Sequence, residues 1–408
     1  MGASDRGGFR ENRIAGDAPH EGSGRMSMND GQPSPAAAAE TRPRSYRGTM
    51  AYIYAFDLAY DMRREPLERL LGRPMQEYSI GLSKRNPRRL FFYRPQMVVL
   101  PPERRRTDCG TVEIQRSVKL FSVGALSIQV RVPFEVERIA DLVAYHELRF
   151  ATGSLEEEVR DLGERVREEV APFCIRPAGR LGEGEAYTAF CLEALPRGPD
   201  RPALRAEQWL LNQRSQVAKL LMEEAETAHL SEQQVAGATR QYLSYFDDDV
   251  VVLDWDAALI VGAQDSLDDI LHVMELANVQ LVELAAYDHI LDGSLEASYR
   301  DVARRRVPAR REVRHRLREI HVDLARLSDE LGNITKFFGD WYLARIYQML
   351  SGRFHLADWH RIIDEKLKTL GSLYELLQQD RVNFWMVMLE IMIVLLFIID
   401  VVVLLAGL

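Results

Sequence analysis

The sequence is short of the residues on which most enzyme chemistry rests. It holds three cysteines, Cys109, Cys174 and Cys191, with no C-x-x-C spacing and an odd count. That argues against a disulfide framework or a cysteine-based zinc site and fits a reducing compartment. Lysine is scarce as well: six of the 52 basic residues, the rest being arginine, a bias of GC-rich bacterial coding rather than of mechanism. The formal charge of -9 and pI near 5.6 argue against general nucleic-acid binding and leave room only for a local basic patch. No G-x-x-x-x-G-K-[ST], H-E-x-x-H or G-x-S-x-G occurs, and Gly182 and Gly184 lack the third glycine of a dinucleotide loop. The expectation is a protein that is not an enzyme, with no cofactor, no metal and no identifiable small-molecule substrate.

Long apolar runs are missing too, with one exception. Residues 384–408, FWMVMLEIMIVLLFIIDVVVLLAGL, carry only Glu390 and Asp400 as ionisable groups. As a helix the run spans roughly 37 Å, against a hydrocarbon core of about 30 Å. It shows no polar face, so it reads as a transmembrane anchor rather than a surface helix. The run closes the sequence, and Arg361, Lys366, Lys368 and Arg381 flank its N-terminal side. The positive-inside rule then predicts a single-pass tail anchor in a bacterial inner membrane, with residues 1–383 in the cytoplasm. The first other apolar run begins only near Tyr52, so no N-terminal signal is expected, and MGASDR has Arg where myristoylation needs Ser or Thr.

The two acids are the odd feature of the anchor. Each costs about 2.5–3.5 kcal/mol near a span's centre and less towards its ends, which the surrounding Ile, Leu, Val and Phe offset. Ten residues apart, they lie about 15 Å apart along the axis and about 80° apart around it, too far to share a metal within one helix. The expectation is that Glu390 and Asp400 face other copies of the helix as an intramembrane interface of a homo-oligomer. The competing reading is that they snorkel to opposite headgroup layers.

The rest of the chain divides by pattern. Residues 1–48 are rich in Gly, Ala, Ser and Pro and read as a disordered tail. Residues 49–262 read as an α+β domain with a mixed or antiparallel sheet. TMAYIYAFDL, RLFFYRPQMVVL, TVEIQRSVKLFSV, ALSIQVRVPFEV and AYTAFCLEAL alternate with period two, and YLSYF, DVVVLDW and AALIVG add short strands. Helices are expected at about Glu65–Leu71, Ile139–Phe150, Ser154–Val170 and Ala203–Glu226. After Gly262 the strands stop. Residues 263–352 read as helical, opening with Leu267–Leu291. Val313, Leu317, Ile320, Leu324, Leu327, Leu331, Ile334 and Phe338 then alternate steps of four and three, the seam of a coiled coil. Residues 353–383, with Leu356, Trp359, Ile363, Leu367, Leu370, Leu373 and Leu377, predict an amphipathic stalk helix leading into the anchor. The two seams could pair with each other or with another subunit.

Three polar constellations are candidates for binding. Arg304, Arg305, Arg306, Arg310, Arg311, Arg314, Arg316 and Arg318 face a single acid, Glu312, and form a basic collar suited to RNA phosphates or anionic headgroups. No aromatic residue interleaves it, so base stacking is not supported. Asp247, Asp248, Asp249, Asp254 and Asp256 bunch around two strands and offer oxygens to Mg²⁺ or Ca²⁺. The simpler reading is a solvated turn, with Asp254 and Asp256 flanking a buried Trp255. Glu226–His229 and Glu312–His315 carry the E-x-x-H spacing of di-metal bundles, a pattern that charged helical sequences reach by chance.

With these residues in view, the C-terminal part resembles the "required for meiotic nuclear division" family. The resemblance covers 260–408 and rests on ITKFFGDWYLARIYQML, with Phe337-Phe338 and Trp341, and on Leu389-Glu390 followed ten residues later by Asp400. Ile391 and Asp400 depart from that family's usual Trp and second Glu. It implies a membrane-anchored, self-associating protein without known enzymatic activity. Its mitochondrial members support organelle translation, which gives the arginine collar a ribosomal RNA partner to consider. The combined expectation is a tail-anchored scaffold that recruits a partner. The alternative is a membrane-tethered metal-dependent enzyme using the Asp247–Asp256 cluster.

Overall fold

A computed structural model describes residues 45–63, 67–78, 95–195, 205–262, 264–303 and 341–406, with residues 318 and 322. Its strands are β1 (Tyr46–Asp57), β2 (Ala59–Met62), β3 (Arg69–Leu70), β4 (Arg73–Pro74), β5 (Gln76–Glu77), β6 (Gln96–Val99), β7 (Glu103–Thr107) and β8 (Gly110–Leu120). They continue with β9 (Ala125–Val136), β10 (Arg149–Phe150), β11 (Gly153–Ser154), β12 (Cys174–Pro177), β13 (Glu185–Leu192), β14 (Tyr242–Leu243), β15 (Val250–Leu253) and β16 (Ala257–Val261). The α-helices are α1 (Leu155–Val170), α2 (Ala206–Asn212), α3 (Arg214–Leu221), α4 (Glu232–Ala238), α5 (Leu267–Ala303), α6 (Trp341–Arg353) and α7 (Leu356–Ala406).

The mixed α+β architecture expected from the sequence is present. Twelve strands form one sheet whose main path runs β11-β10-β7-β8-β9-β1-β13-β16-β15-β14, with β6 beside β8 and β5 beside β6. Only the β13–β16 pair in it is parallel among the described residues. The central strand β1 explains why the sheet has two helical layers. Met50, Tyr52, Tyr54 and Phe56 enter one core with α1 and α3, whereas Ala51 and Ile53 enter the other with α5, α6 and α7. A strand buried on both faces reads as a near-continuous apolar run. Small residues gather on the α5 side, at Ala51, Ala189 and Ala258, and let that helix approach the sheet. At the β8–β9 turn Gly124 takes φ +97° against the Ala59 carbonyl, a place where an added Cβ would collide.

Three helical expectations gave way to other structures. Of the helix expected over Glu65–Leu71, residues 65 and 66 lie outside the described residues and the rest leads into the β3–β4 hairpin, since Leu71 and Gly72 both take positive φ, as a primed hairpin turn requires. Over Ile139–Phe150 a 3-10 helix covers Ile139–Tyr145, followed by β10. Its buried residues Ile139, Leu142 and Tyr145 recur every three residues, which is the 3-10 repeat rather than the α repeat. The helix expected over Ala203–Glu226 is broken at Gln213 into α2 and α3 and ends where Glu223 takes a positive φ. The helix expected over Ser154–Val170 is present as α1, and the structure adds its cap: the Ser154 hydroxyl accepts from the Glu157 N–H and the Glu157 carboxylate returns to the Ser154 N–H.

The largest change concerns the helices after Gly262. The described residues from 45 onward fall in one unit, and α5 lies on the sheet rather than beyond it. Leu356, Ile363, Leu367 and Leu370, expected to line a stalk, are buried in the same core as α5. Lys366 reaches from α7 to Asp288 and Asp292 of α5, at 2.7 and 2.6 Å. The first third of α7 is therefore the outer wall of the folded unit. The expected tail over 1–48 lies outside the described residues up to 44, and the coiled-coil seam over Val313–Phe338 lies outside them altogether.

The end of β1 carries one testable charge. Burial pushes the Asp57 carboxyl up to about 6, against a smaller opposing effect of its hydrogen bond with the Ala59 backbone. A raised folded-state value means that ionising Asp57 disfavours the fold once pH passes the unfolded value near 4. Asp57→Asn should therefore be neutral to stability at pH 4 and stabilising, by about 1–2 kcal/mol for this partly exposed group, at pH 7. Denaturant midpoints at the two pH values check this, and an equal effect at both would refute it.

Candidate functional site

Two features stand out when the polar groups are placed on this frame: a sealed charge cluster under α5 and the far end of α7. The cluster begins on the sheet. Lys119 on β8 stands directly opposite Ser127 on β9, and both side chains point to the α5 face. From above, His272 and Glu275 descend one helical turn apart. Glu275 accepts from Lys119 Nζ through Oε2 and from Ser127 Oγ through Oε1 at 2.6 Å, while His272 Nδ1 lies 3.1 Å from Oε2. Lys119 Nζ also sits 4.0 Å above the Tyr78 ring, whose centroid is 4.9 Å from that of His272. Lys119 is 3% exposed and Glu275 fully buried.

The electrostatics follow from this geometry. Burial alone would push the Glu275 carboxyl up, but the Lys119 charge and the His272 and Lys119 contacts outweigh it and hold the group at about 2. Burial keeps the His272 imidazole below its ordinary value, hence neutral. A substrate could reach none of the four groups without lifting α5, so the cluster locks the helix to the sheet. Sequence reasoning missed it because S-x-Q-x-R along β9 reads as a solvent face. The available signal was H-x-x-E inside DDILHVMELANVQL, two ionisable side chains one helical turn apart among apolar neighbours.

The candidate sites from the sequence fare as follows. The acids at Asp247–Asp256 do not converge. Asp249 accepts from the Tyr245 and Phe246 N–H groups at 2.7 and 3.1 Å, holding a turn, and Asp254 pairs with Arg353 and accepts from the Trp255 N–H. The expected burial is reversed here: Asp254 is buried, while Trp255 is 49% exposed and packs on His355. Glu226 and His229 lie beyond α3 with no helix to align them, and Glu226 pairs with Arg138. Among the described residues no group of three His, Cys, Asp or Glu side chains could hold a metal ion. Arg304, Arg305, Arg306, Arg310, Arg311, Arg314 and Arg316 lie outside the described residues, as do Glu312 and His315; Arg318 is helical and exposed.

The second feature is α7 itself. Its 51 residues run unbroken from the wall of the folded unit into Phe384–Leu405, 22 residues long and apolar enough to cross a membrane. No part of that stretch is buried, and Glu390 and Asp400 are exposed within it. A candidate single-pass anchor therefore leaves the folded unit on a helix that is also part of its core.

The comparisons with known proteins move the relationship to the other half of the chain. A family described as "Uncharacterized protein MJ0711, N-terminal domain" matches residues 47–267, from β1 to the first residue of α5. The uncharacterized protein MJ0711 of Methanocaldococcus jannaschii is 23% identical over 229 residues, covering 54% of this chain and 66%, just under two thirds, of its own length. No solved structure matches the chain. This overturns the resemblance of residues 260–408 to the meiotic nuclear division family. The match lies in the sheet half, and Phe337-Phe338, Trp341, Leu389-Glu390 and Asp400, which carried that resemblance, lie outside it. The chain belongs to the family of the MJ0711 N-terminal domain.

Proposed function

We propose that the protein is a membrane-anchored, self-associating scaffold without catalytic activity, whose sheet unit is held at the bilayer surface to recruit a partner. One observation carries this reading. The helix that supplies Leu356, Ile363, Leu367 and Leu370 to the core continues without a break into an exposed apolar span. A free apolar helix of that length is stable in hydrocarbon and not in water. The continuity fixes the orientation of the sheet unit relative to the anchor, as a platform needs. The carboxylates of Asp249 and Asp254 are engaged in a turn and with Arg353, so the geometry favours a scaffold over metal-dependent catalysis.

The basic residues flanking the span favour placing the folded unit on the cytoplasmic side of an inner membrane. The arginine run over 304–318 is the proposed recruiting segment, for a phosphate-bearing partner. The full chain should stay with sedimented membranes after high-salt and alkaline carbonate washes. Its release into the supernatant would end this reading.

A further inference from the structure

Resting on the membrane reading, we infer that Phe384–Leu405 pairs in parallel with a second copy of itself along one left-handed seam that contains both acids. Glu390, Ile393, Phe397, Asp400 and Leu404 follow one another at steps of three, four, three and four. A straight helix sets the two acids about 80° apart, but the supercoil of a 3.5-residue repeat brings both into one contact line. Their ten-residue spacing is one heptad plus an a-to-d step.

The occupant follows from chemistry and placement. In its acid form a carboxyl group both donates and accepts a hydrogen bond, so it is complementary to its own copy. A parallel copy brings Glu390 to Glu390 and Asp400 to Asp400 at equal depth without further design. A different protein would need two polar residues matched separately to those depths. The span holds no Gly, Ala, Ser or Thr, which disfavours the close right-handed crossing and leaves the left-handed one.

The folded unit does not obstruct this pairing. At 100° per residue Glu390 lies between about 140° and 200° around α7 from Ile363, Leu367 and Leu370, the residues that face α5. The Glu390 end of the seam, nearest the folded unit, therefore opens away from the sheet unit, while Asp400 lies about 60° to 120° from the same residues on the stretch beyond it. Two copies can meet there with their folded units outward. Such an arrangement is a closed two-fold dimer.

Disulfide mapping in the full chain tests this. In a Cys109→Ser background, with Cys174 and Cys191 left buried in the fold, single cysteines replace Ile393 or Phe397 on the seam and Leu395 or Ile398 off it. The proteins are reconstituted in neutral phosphatidylcholine vesicles, oxidised, and floated on a density gradient. Cross-linked dimer should form about tenfold faster at 393 and 397 than at 395 and 398. Glu390→Gln/Asp400→Asn, which keeps hydrogen-bonding groups, should preserve that pattern. Glu390→Leu/Asp400→Leu should weaken it about tenfold, the scale of two hydrogen bonds within a bilayer. Equal rates at all four positions, or indifference to the leucine variant, would overturn the pairing. So would absence of cross-linking in protein that floats, with the anchor still standing. Protein that fails to float would overturn the anchor itself.

Discussion

Lys119→Met lowers the unfolding free energy by about 3–5 kcal/mol at pH 7, the expected cost of stranding a buried carboxylate without its counter-charge. The size follows from the packing: Glu275 is fully buried between α5 and the sheet, so water cannot replace the lost ammonium. Changing both partners to methionine should return most of that loss, because two apolar side chains of similar volume leave no charge to desolvate. The pH dependence separates this from a simple packing defect. With Lys119 present, Glu275 is held at about 2, below its unfolded value near 4.3. Its contribution is therefore present above pH 4.3 and fades as pH falls towards 2. His272, kept neutral by burial, adds an earlier loss as pH drops below about 6.5, where the unfolded imidazole takes a proton. Without Lys119 the sign at Glu275 reverses: burial now favours the protonated acid, so the deficit of the variant shrinks in mild acid. Denaturant titrations of wild type, Lys119→Met and the double variant at pH 5 and 7 would read all of this. A deficit that is the same at both pH values would show that the cluster is packing and not charge.

The second large effect concerns where the protein resides. Replacing Val394, Phe397 and Val401 together by arginine should move the chain from the membrane to the soluble fraction. Each arginine near the span's centre costs about 2.5–3.5 kcal/mol, whereas each Leu, Ile, Val or Phe contributes only about 0.3–0.6 in favour. Three substitutions thus remove roughly what the whole span supplies, already reduced by Glu390 and Asp400. The same positions changed to leucine should leave the protein membrane-bound. All three side chains are exposed, so the folded unit should be untouched, with the wild-type unfolding midpoint as the control. A triple-arginine variant that stays in carbonate-washed membranes would mean that something other than α7 holds the protein there.

What could be read in advance depended on how local its cause is. The apolar run over 384–405, the helix α1, and the strands β1, β8, β9 and β13 were each legible, because segments of 8 to 22 residues contain the whole signal. Turn geometry was legible only in part: the positive φ at Leu71 turned an expected helix into the β3–β4 hairpin. The Leu356–Leu370 stripe showed plainly that α7 has a partner. It could not show that the partner is α5 of the same chain, since an apolar stripe has the same spacing whichever surface covers it.

The same limit hid the cluster at Lys119. The alternation of β9 fixes that Ser127, Gln129 and Arg131 share a face, and no residue of β9 says whether water or a helix lies over it. By itself, then, the sequence determined the fold class, most long elements and the one stretch suited to hydrocarbon, because periodicity and composition are properties of a segment. Tertiary structure alone decided that α5 covers the polar face, that Lys119 meets Glu275, and that the wall of the core and the anchor are one helix. Those facts are relations between residues as far as 156 positions apart, and burial belongs to the pair in contact rather than to either segment.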